Sequence, residues 1–106
     1  MRPQILSQTG AGQSVMAVMD ANRNPFSVSV GVVVSGTVSY TIEHSYDDPQ
    51  RGAANMTWFS KTALSAQTAN KDDAYLAPVR AIRINQATGS GTTTLTILQA
   101  GHGVGG

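Results

Sequence analysis

FSVSVGVVVSGTVSYTIEHSY, residues 26–46, is the stretch whose reading decides the fold. Phe26, Val28, Val30, Val32 and Val34 alternate with Ser27, Ser29, Gly31, Val33 and Ser35. Beyond Gly36, Val38, Tyr40, Ile42, His44 and Tyr46 alternate with Thr37, Ser39, Thr41, Glu43 and Ser45. A period of two through β-branched and aromatic residues predicts two strands, each apolar on one face. Both apolar sets are even-numbered, so a two-residue loop at Ser35-Gly36 would set Val34 against Thr37 and mix the faces. A three-residue loop, Ser35-Gly36-Thr37, would instead pair Val34 with Val38, Val32 with Tyr40, Val30 with Ile42 and Val28 with His44. The alternative is an arch that carries the second strand into a facing sheet.

Outward from this pair the chain reads as further short strands. On the N-terminal side, Ala21 to Pro25 is a loop and Ser14 to Asp20 a short strand of ambiguous facing, buried on both sides or part of an interface. Thr9 to Gly12 is a turn, and Ile5-Leu6 begins an edge strand whose ladder Pro3 limits. On the other side, Asp47 to Asn55 is a polar connection. The only tryptophan, Trp58, is expected to anchor the core. Lys61 to Leu76 reads as a long loop, with room for a short helical turn around Ala63 to Gln67, ended by Pro78. Val79 to Gln86 and Thr92 to Gln99 are again strands. A four-residue turn, Thr88-Gly89-Ser90-Gly91, would pair Ile84 with Leu95, Ile82 with Ile97 and Arg80 with Gln99. The glycine-rich tail, residues 101–106, has nothing to bury and is expected to be flexible. The fold expected is all-β: one domain over residues 1–106, an antiparallel β-sandwich of about seven to eight short strands, jelly-roll or immunoglobulin-like. No Cys…Trp…Cys spacing supports the disulfide-bonded immunoglobulin form.

Composition narrows the functional classes. Of 106 residues only 12% are charged and the formal net charge is +1, so solubility rests on Ser, Thr, Asn and Gln, and no basic footprint for nucleic acid exists. Cysteine is absent, which removes disulfide and thiolate chemistry and agrees with assembly in a reducing cytoplasm. MRPQILSQTG lacks a long apolar core and no stretch approaches spanning length, so neither a signal peptide nor a membrane partner is expected.

Candidate chemistry is sparse. His44 could act as a base oriented by Asp47 or Asp48, with Ser45 or Ser60 as nucleophile, but no strand-turn-helix elbow accompanies it, and a structural histidine is the expectation. Asp47-Asp48 and Asp72-Asp73 lack the spaced ligand pattern of a calcium loop, so turn formation and solvation account for them. His102 lies in the tail. Arg51, Lys61, Lys71, Arg80 and Arg83 are scattered without interleaved aromatics. Arg80 is expected to cap the core edge and Arg83 to lie on a surface that a partner could cover. A sugar platform would need Tyr40, Tyr46, Trp58 and Tyr75 on one exposed face, yet Tyr40 and Tyr46 alternate toward the core. Thr88 to Gly91 is a turn, with no Lys-Ser/Thr or helix after it to make a phosphate loop. No catalytic, cofactor-binding or metal-binding residue is assigned.

The tyrosine-bearing strand TVSYTIEHSYDD, the isolated MTWFS, the proline-led APVRAIRINQ and the closing TTTLTILQAG together form a layout spanning about residues 26–100. This layout resembles small structural proteins of tailed bacteriophages, and within them the capsid decoration (cement) proteins with a jelly-roll β-sandwich. The resemblance implies a non-enzymatic protein without cofactors. It would sit on the outside of the virion capsid, bind the major capsid protein and brace its subunits, and associate with itself as a dimer or trimer. Contact regions would be Gln4 to Met19, the 47–55 loop and the 61–77 loop. The competing readings are a tail, neck or fibre component and a carbohydrate- or receptor-binding sandwich.

Overall fold

A computed structural model describes residues 4–19, 27–75 and 79–100 of the chain. They form nine strands in two antiparallel sheets and no α-helix. One sheet contains β1 (Gln4–Thr9), β9 (Thr92–Ala100), β4 (Ser27–Ser35) and β7 (Lys71–Tyr75), in the order β1-β9-β4-β7. The other runs β2-β8-β5-β6 through β2 (Gly12–Gln13), β8 (Ala81–Thr88), β5 (Ser39–Ser45) and β6 (Phe59–Ser60). The short β3 (Ala17–Val18) also pairs with β8, on the edge that β2 occupies. Between β2 and β3 the chain bulges by one residue. There Ser14 holds the ladder, its N–H donating to Ile84 O and its hydroxyl accepting from Ile84 N. With β2 and β3 taken as one interrupted strand, the first half of the chain pairs with the second. β1 meets β9, β2–β3 meets β8, β4 meets β7 and β5 meets β6. A long hairpin rolled in this way into two sheets is the jelly-roll winding, so of the two sandwiches expected the chain adopts this one.

The alternation builds the core as read. Val28, Val30 and Val32 of β4 and Leu95 and Ile97 of β9 face Tyr40 and Ile42 of β5 and Ile82 and Ile84 of β8, all buried. Leu6, Ala17 and Met19 close one side, and Leu64, Tyr75 and Val79 contribute from the second half of the chain.

Neither expected hairpin forms. β4 and β5 lie in different sheets, so Ser35–Val38 is the arch and the pairing of Val28 with His44 does not occur. β8 and β9 are split in the same way, so Ile84 pairs with Ile42 rather than Leu95, and Ile97 with Val30 and Gln4 rather than Ile82. Parity of loop length constrains only strands that are hydrogen-bonded neighbours, and an arch escapes it. The two arches lie against each other at one end of the sandwich, backbone on backbone. Gly91 donates to Thr37 O (2.9 Å), and a Cβ on Gly89 would stand 2.8 Å from Val38 Cα. Buried Gln86 fastens this end. Its amide donates to Gly89 O (3.2 Å) and Gly91 O (3.0 Å) and accepts from the Thr93 hydroxyl (2.8 Å).

The segment from 46 to 75 departs furthest from expectation. Two 3-10 turns, Pro49–Arg51 and Ala53–Asn55, carry the chain over the outer side of the second sheet and bury Met56. Trp58 is neither core nor open platform. It is half-buried with Arg83 4.2 Å from its ring, and its indole N–H donates to Ala53 O (3.0 Å). A 3-10 turn at Thr62–Leu64 stands where a helical turn was expected, and Lys71–Tyr75, read as loop, is strand β7. Ser14 to Met19 is strand only at Ala17–Val18, with Ala17 and Met19 inward and Val15 and Val18 exposed. The expected loop at 21–25 and tail at 101–106 with His102 lie outside the described residues.

Candidate binding surfaces

The outer faces of the two sheets differ. On the β2-β8-β5-β6 sheet, Glu43 accepts from Arg83 Nε (2.8 Å) and Asn85 Nδ2 (3.3 Å), Gln13 donates to Asn85, and the 46–58 segment covers Ala81 and Ser45, both fully buried. Arg83, expected on a surface open to a partner, is covered by the chain itself.

The outer face of the β1-β9-β4-β7 sheet is bare. Its outward residues on β1, β9 and β4 include Ile5, Ser7, Thr94, Thr96, Leu98, Ser29, Gly31 and Val33, and none of them is charged; Asp72 on β7, opposite Gly31, stands at the margin. Ile5, Val33 and Leu98 are 64%, 59% and 50% exposed. Two shallow hollows meet above Gly31, bordered by Val33, Asn70 and Lys71 on one side and by Ser29, Asp73, Ala74 and Leu98 on the other, with Asp72 and Thr96 shared. Glycine inside a strand weakens it, and here no fold requirement offsets that. A Cβ at Gly31 would meet nothing within 4 Å, and its φ lies outside the positive range. Such a glycine fits a place where another surface approaches the sheet closely.

A second cluster sits where the two sheets part, at the β6 and β7 side. His44 Nδ1 lies 3.0 Å from the Tyr75 hydroxyl, joining β5 of one sheet to β7 of the other. Tyr75 crosses the imidazole edge-on at 5.1 Å, with Tyr46 at 5.6 Å and Phe59 at 6.1 Å. Lys61 Nζ stands 4.5 Å from the Tyr75 ring centre and 3.7 Å from Asp73 Oδ2. Burial, with Tyr46 and Asp73 nearby, pushes the Tyr75 phenol up, so its hydroxyl keeps its proton, and the tautomer of His44 sets which of the two donates. Burial first, then Lys61, lowers the His44 pKa against a smaller opposing pull from Glu43.

The sign of the pH effect follows. His44 binds its proton less readily folded than unfolded. Stability is therefore full above the ordinary histidine range near about 6.5 and declines as pH falls through it toward the lowered folded value. His44→Phe should flatten that decline in a series of thermal melts from pH 7.5 to pH 5. An undiminished acid slope in the variant would assign it to other groups.

No family model, curated protein or solved structure matches this chain.

The residues singled out from the sequence do not assemble into an active centre. His44 is bonded to Tyr75 rather than to a serine, and Asp47 accepts from the Thr57 N–H (2.6 Å) and contacts Arg51. Asp48 caps the first 3-10 turn through Gln50 N and lies 3.8 Å from Arg80, which is exposed. Asp72 faces outward while Asp73 turns in toward Lys61, so the pair diverges. Among the described residues no three His, Cys, Asp or Glu side chains group as metal ligands. Tyr40 and Tyr75 are buried, Trp58 is covered by Arg83, and Tyr46, expected inward, is exposed because β5 ends at Ser45. The four aromatics of the sugar-platform reading thus share no exposed face. Gly31 was not singled out from the sequence, although a glycine and a valine among the serines of the outward register are the trace it leaves there.

Proposed function

We propose that this chain is a non-enzymatic structural protein of a tailed-bacteriophage virion that lies on the capsid exterior, binds the major capsid protein and stabilises contacts between its subunits. The observation that carries this reading is the bare outer face of the β1-β9-β4-β7 sheet, a broad surface whose strands β1, β9 and β4 present no charge and which is hollowed at Gly31, with Asp72 of β7 at the border. Shape fit and many modest hydrogen bonds, rather than electrostatic steering, suit such a face, and repetition over a symmetric shell multiplies weak contacts into firm attachment. Support for the phage reading comes from the resemblance of the sequence layout over about residues 26–100, and a jelly-roll sandwich is the fold that resemblance implies.

Purified protein added to undecorated shells should bind in many copies and raise the temperature at which the shells come apart. Gly31→Lys should fold with a melting temperature no lower than that of the wild type, since space above residue 31 is open, and should neither bind nor protect. Shells equally protected by the variant would remove this face from the interface, and shells that bind neither protein would end the capsid reading for that virion.

A further inference from the structure

Among the described residues, strand β1 is the unguarded edge of the two sheets. Gly10 donates to Gly91 O (3.1 Å) in continuation of the β1–β9 ladder, which fixes its phase: the even residues of β1 bond to β9, and Ile5, Ser7 and Thr9 turn their N–H and C=O outward. The 2.9 Å contact between the Thr9 and Thr92 hydroxyls fits the closer, non-hydrogen-bonded pairing that this phase gives them. The opposite edge, β7, is blunted. Lys71, Asp72 and Asp73 charge it, Asp73 points inward to Lys61, and Asp73 Oδ1 takes the outward Ala74 N–H (2.8 Å). In the second sheet β6 has two residues and β2–β3 is broken by its bulge.

We infer that β1 pairs antiparallel with β1 of a second copy of this chain about a two-fold axis through Ser7. The outward groups at 5, 7 and 9 are symmetric about Ser7, so this register sets Ser7 against Ser7 of the partner and Ile5 against Thr9. It makes six backbone hydrogen bonds and keeps the inward face inward. A register centred on Leu6 makes four. Near a two-fold every residue approaches its own copy, so a charge there would repel itself. Gln4–Thr9 and residues 92–98 of the neighbouring strand contain none. The Gln8 amide, 3.3 Å from Thr9 O, occupies one of that oxygen's two lone pairs and leaves the other for the partner. The result is one eight-stranded sheet with two Gly31 hollows on a common face. The pairing stands whether or not the face meets a capsid.

Sedimentation over a dilution series tests it. The wild-type chain should show a two-chain mass that dissociates on dilution, with slower amide exchange at Ile5 and Ser7 in the concentrated sample. Ser7→Pro removes an N–H that the fold does not use and should raise the dissociation constant by about 100-fold or more with the circular dichroism unchanged. Ser7→Lys, at a position exposed in one chain, should weaken the dimer at low salt and recover as salt is added. A wild-type chain that stays monomeric at the highest concentration, or a folded Ser7→Pro that remains a dimer, overturns the inference.

Discussion

Gly89→Ala will be among the most damaging single-methyl additions this fold can receive. The arch residue has φ of 99°, where an L side chain is strained, and its new methyl would overlap the carbonyl oxygen of Thr37 and stand 2.8 Å from Val38 Cα. Both obstacles are backbone of the other arch, so no rotamer change relieves them. Strain and overlap together should destabilise by about 3–5 kcal/mol, a fall in melting temperature of roughly 12 °C or more for a domain of this size. Gly10→Ala separates the two causes. Its φ is 75°, but nothing lies within 4 Å of its Cβ position, so only the conformational part remains, about 1 kcal/mol. Thermal melts of the two variants side by side decide the matter. Equal losses would mean that the arches are not in backbone contact.

Gln86→Leu should cost nearly as much, for a different reason. Gln86 is 1% exposed, and its three hydrogen bonds satisfy the Thr93 hydroxyl and the Gly89 and Gly91 carbonyls. Leucine fills similar space but leaves these groups without the side chain that met them, a loss of about 2–4 kcal/mol in urea unfolding. Gln86→Glu adds a pH signature. Its carboxyl would be buried facing two carbonyl oxygens, so its folded pKa would rise above the ordinary glutamate value near about 4.3. Stability would then be best kept at low pH and lost as pH rises through the elevated value. A glutamate variant no less stable at pH 8 than at pH 5 would show that this amide is not the clasp described.

Strands with strict alternation were legible: Val28–Val34, Tyr40–Ile42, Ile82–Ile84 and Leu95–Ile97 face the core as their spacing requires. Their partners were not. A strand's period says which side it buries and nothing about whether its neighbour in sequence is its neighbour in the sheet, so the first connection stayed open between hairpin and arch, and the second arch read as a regular hairpin. β7 was hidden because edge position, not propensity, explains KDDAY, whose inward sites hold Lys71 and Asp73 beside Tyr75. Trp58 was misplaced because a loop folded over a sheet's outer side makes a second, half-buried apolar layer that one-face logic does not foresee. Of the surfaces, only the lack of charge could be read beforehand. That the charge-free residues collect on one face follows from strand order, which long-range pairing sets.

Placing β9 between β1 and β4 also governs how the chain can be made. A ribosome that has released residues 1–90 has delivered both flanking strands of that sheet but not the one between them, so their edges and the valines of β4 wait unpaired until residues 92–98 emerge. Folding is therefore completed after synthesis of this segment rather than during it. Its rate is set by closing loops of some ninety residues, the regime of slow, high-contact-order β proteins. The same central strand that locks the finished sheet is the last part of it to arrive.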